Sequence, residues 1–138
     1  MRLSNAEARR RALTADHGVL ATIGFDGAPD LVPACFVIDG DLLAIPVDTV
    51  KPKASTSLGR SRNLDRDPRA TFLVERWDPA DWSRLWWVRL ELERIEPPGP
   101  TVAALAASLA GRYPQYREQP FAALLVLRIV DLAGWSAT

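Results

Sequence analysis

VLATIGFDGAPDLVPACFVIDGDLLAIPVD, residues 19–48, reads as three short strands in succession. Val19 to Gly24 is apolar, Asp26-Gly27 is a turn, and Asp30 to Ile38 is the next extended run. Asp39-Gly40 is a type I′ hairpin signal leading into Leu42 to Val47. Strands joined this tightly make an antiparallel meander. Pro33 inside the second run points to an edge or a bulge, because proline donates nothing to a strand ladder. Further along, Ala70 to Glu75 is a fourth strand and Leu85 to Ile95 a fifth. In the fifth, Trp86, Val88, Leu90 and Leu92 face one way, and Trp87, Arg89, Glu91 and Glu93 the other. Ala122 to Leu132 is a nearly continuous apolar strand, read as buried on both faces.

Helices fall between and around these strands. Ser4 and Glu7 form a capping box, which predicts a helix from Asn5 to about Ala15. Pro52 suits a first helical position, predicting a helix from there to Asp65, with Asp67-Pro68 ending it. Thr101 to Gly111 is alanine-rich and helical in pattern. The expected fold is mainly β, a six-stranded antiparallel barrel, closed or split, with peripheral helices. One domain over residues 1–138 accounts for the whole length.

Composition narrows the classes. Hydrophobic residues make up 48% and charged residues 25%, as in ordinary globular domains. No apolar run reaches the ~20 residues of a membrane-spanning helix. Cys35 stands alone, which excludes an internal disulfide and fits a cytoplasmic protein. The formal net charge is zero, so nothing pulls the chain as a whole toward nucleic acid. The sequence has no metal-ligating His/Cys cluster, no Ser-His-Asp set and no G-x-G-x-x-G. No catalytic side chain is assigned.

Against that neutral background, positive charge gathers in one place. Both lysines, Lys51 and Lys53, flank Pro52, and Arg60, Arg62, Arg66 and Arg69 follow, against only Asp65 and Asp67. Lys53, Ser57 and Arg60 fall at i, i+4 and i+7, one helical face. A basic cluster at a helix start is suited to an anionic small molecule such as a phosphorylated cofactor. From pattern alone, a solvated basic helix fits equally well. Trp87, on the polar face of its strand, is a candidate for an interface.

The meander, the KPK at 51–53, RSRNLDRDPRATFLVE at 60–75, DWSRLWWVR at 81–89 and YPQYR at 113–117 together resemble the pyridoxamine 5′-phosphate oxidase-like split-barrel superfamily. Within it, KPK combined with DWSRLWWVR resembles the branch of coenzyme F-420-dependent enzymes. The likeness covers nearly the whole chain. It departs at Leu92-Glu93 and at Phe121 to Ala123, where the branch usually carries glycines.

The resemblance implies a split barrel of the FMN-binding type and a homodimer with its cofactor across the interface. It implies phosphate binding by Lys51, Lys53, Ser57, Arg60 and Asn63. It places the ring against the second strand, at Pro33, Ala34, Cys35 and Phe36, with Trp87 nearby. The implied function is an oxidoreductase passing hydride from reduced F-420 to a small electron-poor substrate. FMN-dependent oxidoreduction and cofactor binding without catalysis are the alternatives, since both cofactors carry a ribityl phosphate. Arg60 and Arg62 would suit the oligoglutamate tail that only F-420 has.

Overall fold

The structure, a computed structural model, describes residues 1–48 and 59–138. Helix α1 is Asn5–Thr14; Ser4 caps it, its hydroxyl accepting from the Glu7 amide at 3.2 Å. Strands β1 (Gly18–Ile23), β2 (Pro29–Ala34), β3 (Val37–Asp39) and β4 (Leu42–Asp48) follow. Then come α2 (Gly59–Arg66), β5 (Arg69–Arg76), β6 (Trp86–Ile95), α3 (Gly99–Arg112) and β7 (Phe121–Ser136). The expected helix start at Pro52, and with it Lys51, Lys53 and Ser57, lies outside the described residues. Among the described residues no helix is long and apolar enough to cross a membrane.

Among the described residues the sheet has seven strands, one more than expected, in the order β2-β1-β5-β6-β7-β4-β3, every pair antiparallel. The extra strand arises because the 30–38 run is broken at Cys35-Phe36 into β2 and β3. Those two strands occupy opposite edges of the sheet and are not paired with each other. Three Cα steps separate Ala34 from Val37, at most about 11 Å. The sheet must therefore curl until its edges nearly meet, which makes a barrel with one open seam. Pro33 sits on an edge strand, where its missing donor costs no ladder bond.

Local chemistry sets the bends. In the β3–β4 hairpin Asp39 pairs with Leu42, so the loop is Gly40-Asp41, one residue later than the sequence signal implies. Gly40 takes φ +59°, the left-handed region that favours glycine at a first loop position. On β7, Asp131 faces Glu91 and Ile129 faces Leu92, which leaves Val130 as a bulge. That bulge curves the longest strand, which pairs with β6 on one side and β4 on the other. Gly18 opens β1 where the backbone crosses the Phe72 ring; a Cβ there would lie 2.5 Å from Phe72 Cε1.

Alternation divides the strands between two cores. Leu20, Leu43, Ile45, Phe72, Val74, Val88, Leu90 and Leu127 fill the barrel with Phe36, and Ala8 and Ala12 of α1 pack against them. Outside the barrel, Leu105 and Leu109 of α3 cover Val37, Ala44 and Val126, with Tyr116 beside them. Strand β4 lies between these cores and is buried from Leu43 to Asp48. The expected inward face of β6 is observed, with Trp86, Val88, Leu90 and Leu92 all buried. On β7 only the stretch Leu125 to Leu127 is buried on both faces, because the rest borders solvent.

Candidate functional site

Helix α2 is pinned over the seam end of the barrel by polar contacts at buried positions. Asn63 is 4% exposed. Its amide nitrogen donates to Thr22 Oγ1 at 2.9 Å and Asp30 Oδ2 at 2.8 Å, and its oxygen accepts from Arg66 at 2.7 Å. Both kinds of amide group are thus engaged within the protein. Asp65 on the same helix pairs with Arg94 of β6 at 2.6 Å. Asn63 therefore acts as a brace between α2 and the β1–β2 hairpin. Asn63→Ala would leave the buried Thr22 hydroxyl and the Arg66 guanidinium without that partner. A loss of about 1–3 kcal/mol of stability is expected, read as a lower urea midpoint at unchanged slope. A change within ~0.5 kcal/mol would show that water replaces the brace without cost.

The brace sets Arg60 across the seam. One guanidinium nitrogen of Arg60 donates to Pro46 O on β4 at 3.2 Å. Its Nε is buried and meets no acceptor among the described residues. Burial pushes the guanidinium below its usual range, while the charge of Asp48 pulls the other way. A buried guanidinium donor without an acceptor among the described residues is a group that an anion can satisfy. Next to it is a cavity of about 350 Å³ lined by Thr22, Asp30, Leu31, Val32, Gly59 and Arg60.

A second, apolar cavity of about 590 Å³ lies on the outer face of the sheet, where Val19, Ala21, Leu73 and Trp87 meet Leu31 and Trp77. Cross-strand register explains it: Val19 faces Leu73, Ala21 faces Leu31 and Thr71, and Glu75 faces Trp87. Leu31 is 64% exposed. It lines both cavities, so the Arg60 pocket and the apolar face share a wall. Arg89 lies at the apolar cavity's edge, paired to Glu91 at 3.2 Å and 5.8 Å from the Trp87 ring centre. The Trp77 ring meets that of Trp82 at 5.6 Å between centres, tilted by 46°.

The residues singled out from the sequence are distributed unevenly over this geometry. Arg60 lines the polar cavity and Trp87 the apolar one. Asn63 braces. Pro33 is exposed on the β2 edge, while Ala34 is buried. Phe36 is wholly buried, its ring edge-on to Phe72 at 4.9 Å, and its amide and carbonyl bond to the Tyr113 hydroxyl and to Arg112. Cys35 is half-buried beside it. Lys51, Lys53 and Ser57 lie outside the described residues. Sequence reasoning passed over Leu31, Asp30 and Thr22. Alternation carried from β1 across the Asp26-Gly27 turn would have put Leu31 on the outer face. His17 is exposed, beside Asp16 at 2.6 Å. Among the described residues no cluster of His, Cys, Asp or Glu is arranged to hold a metal ion.

Solved structures settle the architecture. A conserved hypothetical protein from Mycobacterium tuberculosis superposes with a TM-score of 0.76 at 25% identity, covering 98% of this chain and 86% of that one. The fold is the FMN-binding split barrel of pyridoxamine 5′-phosphate oxidase-like proteins. A heme binding protein from Mycobacterium smegmatis shares the split barrel, with a TM-score of 0.73 at 21% identity over 99% of this chain and 60% of that one. So does an F420 reductase, with a TM-score of 0.62 at 24% identity over 94% and 96% of the two chains. No protein-family model matches the chain. The split barrel thus serves proteins of different cofactors, and the fold by itself does not choose among them.

Proposed function

We propose that this split barrel binds a phosphorylated flavin-type cofactor, coenzyme F-420 in preference to FMN, and is a cytoplasmic oxidoreductase. The observation that carries this reading is a pair of neighbouring cavities with Leu31 in the lining of both. One, polar, holds the under-coordinated Arg60 beside Asp30, and the other is an apolar face lined by Trp87. A planar ring carrying a phosphate arm matches that arrangement, apolar at one end and anionic at the other. Arg60 would hold the phosphate, with Lys51 and Lys53 contributing further charge from outside the described residues. Leu31, Leu73 and Trp87 would seat the ring and keep water from it. The bound cofactor would supply hydride chemistry to a small electron-poor acceptor.

The apolar face is also the surface on which we place a homodimer contact. Leu31, Leu73, Trp77, Trp82 and Trp135 are all exposed. Leu31, Leu73 and Trp77 line one cavity, and Trp135 is paired across the strands with Trp87 there. A second copy seated on this face would turn the open cavity into an enclosed one.

Titration of the protein's tryptophan fluorescence tests the cofactor. FMN is expected to bind, and riboflavin, which lacks the phosphate, to bind at least about tenfold more weakly. F-420 is expected to bind more tightly than FMN, with the gap narrowing at high salt because its tail carboxylates meet screened surface cations. Arg60→Ala should weaken FMN about tenfold and leave riboflavin within twofold. Equal binding of FMN and riboflavin would sink the phosphate assignment. FMN binding tighter than F-420 in both salts would move the reading to an FMN enzyme. Turnover of a panel of electron-poor acceptors with reduced cofactor then separates an oxidoreductase from a carrier.

A further inference from the structure

Asp48 ends β4 as a buried carboxylate, 3% exposed. The Tyr116 hydroxyl donates to its Oδ2 at 2.7 Å, from a single turn of helix at Pro114–Tyr116 that follows α3. The Tyr116 ring is fixed edge-on between Tyr113 at 5.4 Å and Phe121 at 5.1 Å. Two residues back along β4, Pro46 O receives the Arg60 guanidinium. The end of β4 therefore holds a tyrosine from one side and the pocket arginine from the other. A bulge between Val47 and Asp48 shifts the register against β7 at that point.

We infer that Tyr116 and Asp48 are positioning residues for the anion pocket: their hydrogen bond fixes the end of β4, and the Pro46 carbonyl two residues back holds the Arg60 guanidinium across the seam. The inference rests on the reading above that Arg60 meets the cofactor's phosphate. The attraction between Asp48 and Arg60 offsets part of what burial costs the guanidinium. Burial first, then the hydrogen bond to Asp48, then the nearby Cys35 thiol push the Tyr116 hydroxyl above its usual range, so it stays a donor. A long arginine side chain samples many rotamers unless something holds its head. Held at β4, its head is ordered before any ligand arrives, which lowers the ordering cost of binding.

The test uses FMN and riboflavin as probes on the full chain. Tyr116→Phe keeps the ring and removes the hydroxyl; Asp48→Asn keeps the shape and removes the charge. Each is expected to weaken FMN about threefold to tenfold and leave riboflavin within about twofold. In an Arg60→Ala background, Tyr116→Phe should add less than about twofold, because the residue through which it acts is gone. Three results would overturn the inference. One is equal weakening of FMN and riboflavin, the mark of a general structural role. Another is full additivity with Arg60→Ala. The third is tighter FMN binding by Asp48→Asn, which would make Asp48 merely a like charge near the phosphate. If Arg60→Ala itself fails to discriminate FMN from riboflavin, the phosphate reading falls first and takes this one with it.

Discussion

Phe36→Ala is expected to cost about 3–5 kcal/mol of folding stability, the range for deleting a large buried aromatic. The ring is fully buried, edge-on to Phe72, with the Arg112 guanidinium 4.7 Å from its centre. It also stands at the two-residue link between β2 and β3, the strands at the opposite edges of the sheet. The lost ring leaves a cavity on the barrel axis and loosens the link that draws the seam together. For a chain of this length the loss lowers the melting temperature by about 10 °C or more. It is also a large share of the ~5–15 kcal/mol that such domains possess. Thermal and urea unfolding followed by circular dichroism measure it. Phe36→Leu keeps most of the volume and should cost less than about 1.5 kcal/mol. It should also leave FMN affinity unchanged, because the ring never reaches the surface. A loss below about 1 kcal/mol for Phe36→Ala would show that closure rests elsewhere.

Leu73→Asp is expected to convert a dimer into a folded monomer. Leu73 is 39% exposed in the middle of the apolar outer face, opposite Val19 on β1 and Arg89 on β6. A carboxylate there would be desolvated against the second copy at the centre of the contact, with only Arg89, already paired to Glu91, beside it. Charges buried this way at a central interface position weaken association by at least about 2 kcal/mol, roughly thirtyfold. In the monomer the same carboxylate faces water beside Arg89, so the fold survives. Light scattering across a concentration series reads the change, and circular dichroism confirms that the monomer is folded. If the dimer forms on this face, ring binding should weaken with it, because the cavity then stays open. A wild-type protein that is monomeric at micromolar concentration would remove the dimer. A Leu73→Asp protein that stays dimeric would move the contact to another surface.

The local elements were legible in the sequence because their causes are local. The Ser4–Glu7 cap, the two glycine turns and the alternation of β6 depend on residues within one turn or one hairpin of each other. The inward set on β6 followed from period alone, and so did the outward position of Trp87. The seam did not follow. A run such as Asp30 to Ile38 states that the backbone is extended, and nothing in it says where pairing passes from one neighbour to another. That change depends on α3, whose Arg112 and Tyr113 hold the backbone of Phe36 from about seventy-seven positions away.

The candidate site divides along the same line. Arg60 was visible as part of a basic cluster because charge density is a property of the chain itself. Asn63 stood on the same helix and carried the same expectation from the resemblance. Its role as a brace is decided by Thr22 and Asp30, forty-one and thirty-three positions earlier. Tyr116 and Asp48 are sixty-eight positions apart, and their hydrogen bond exists only once α3 has packed on the outside of β4. The sequence by itself determined where most strands and helices run, which side of β6 is apolar and where the positive charge gathers. The tertiary structure alone decided which polar groups are already satisfied and which still need a partner. Hydrogen-bond satisfaction is a property of pairs, and burial brings those pairs together from parts of the chain that share no local pattern.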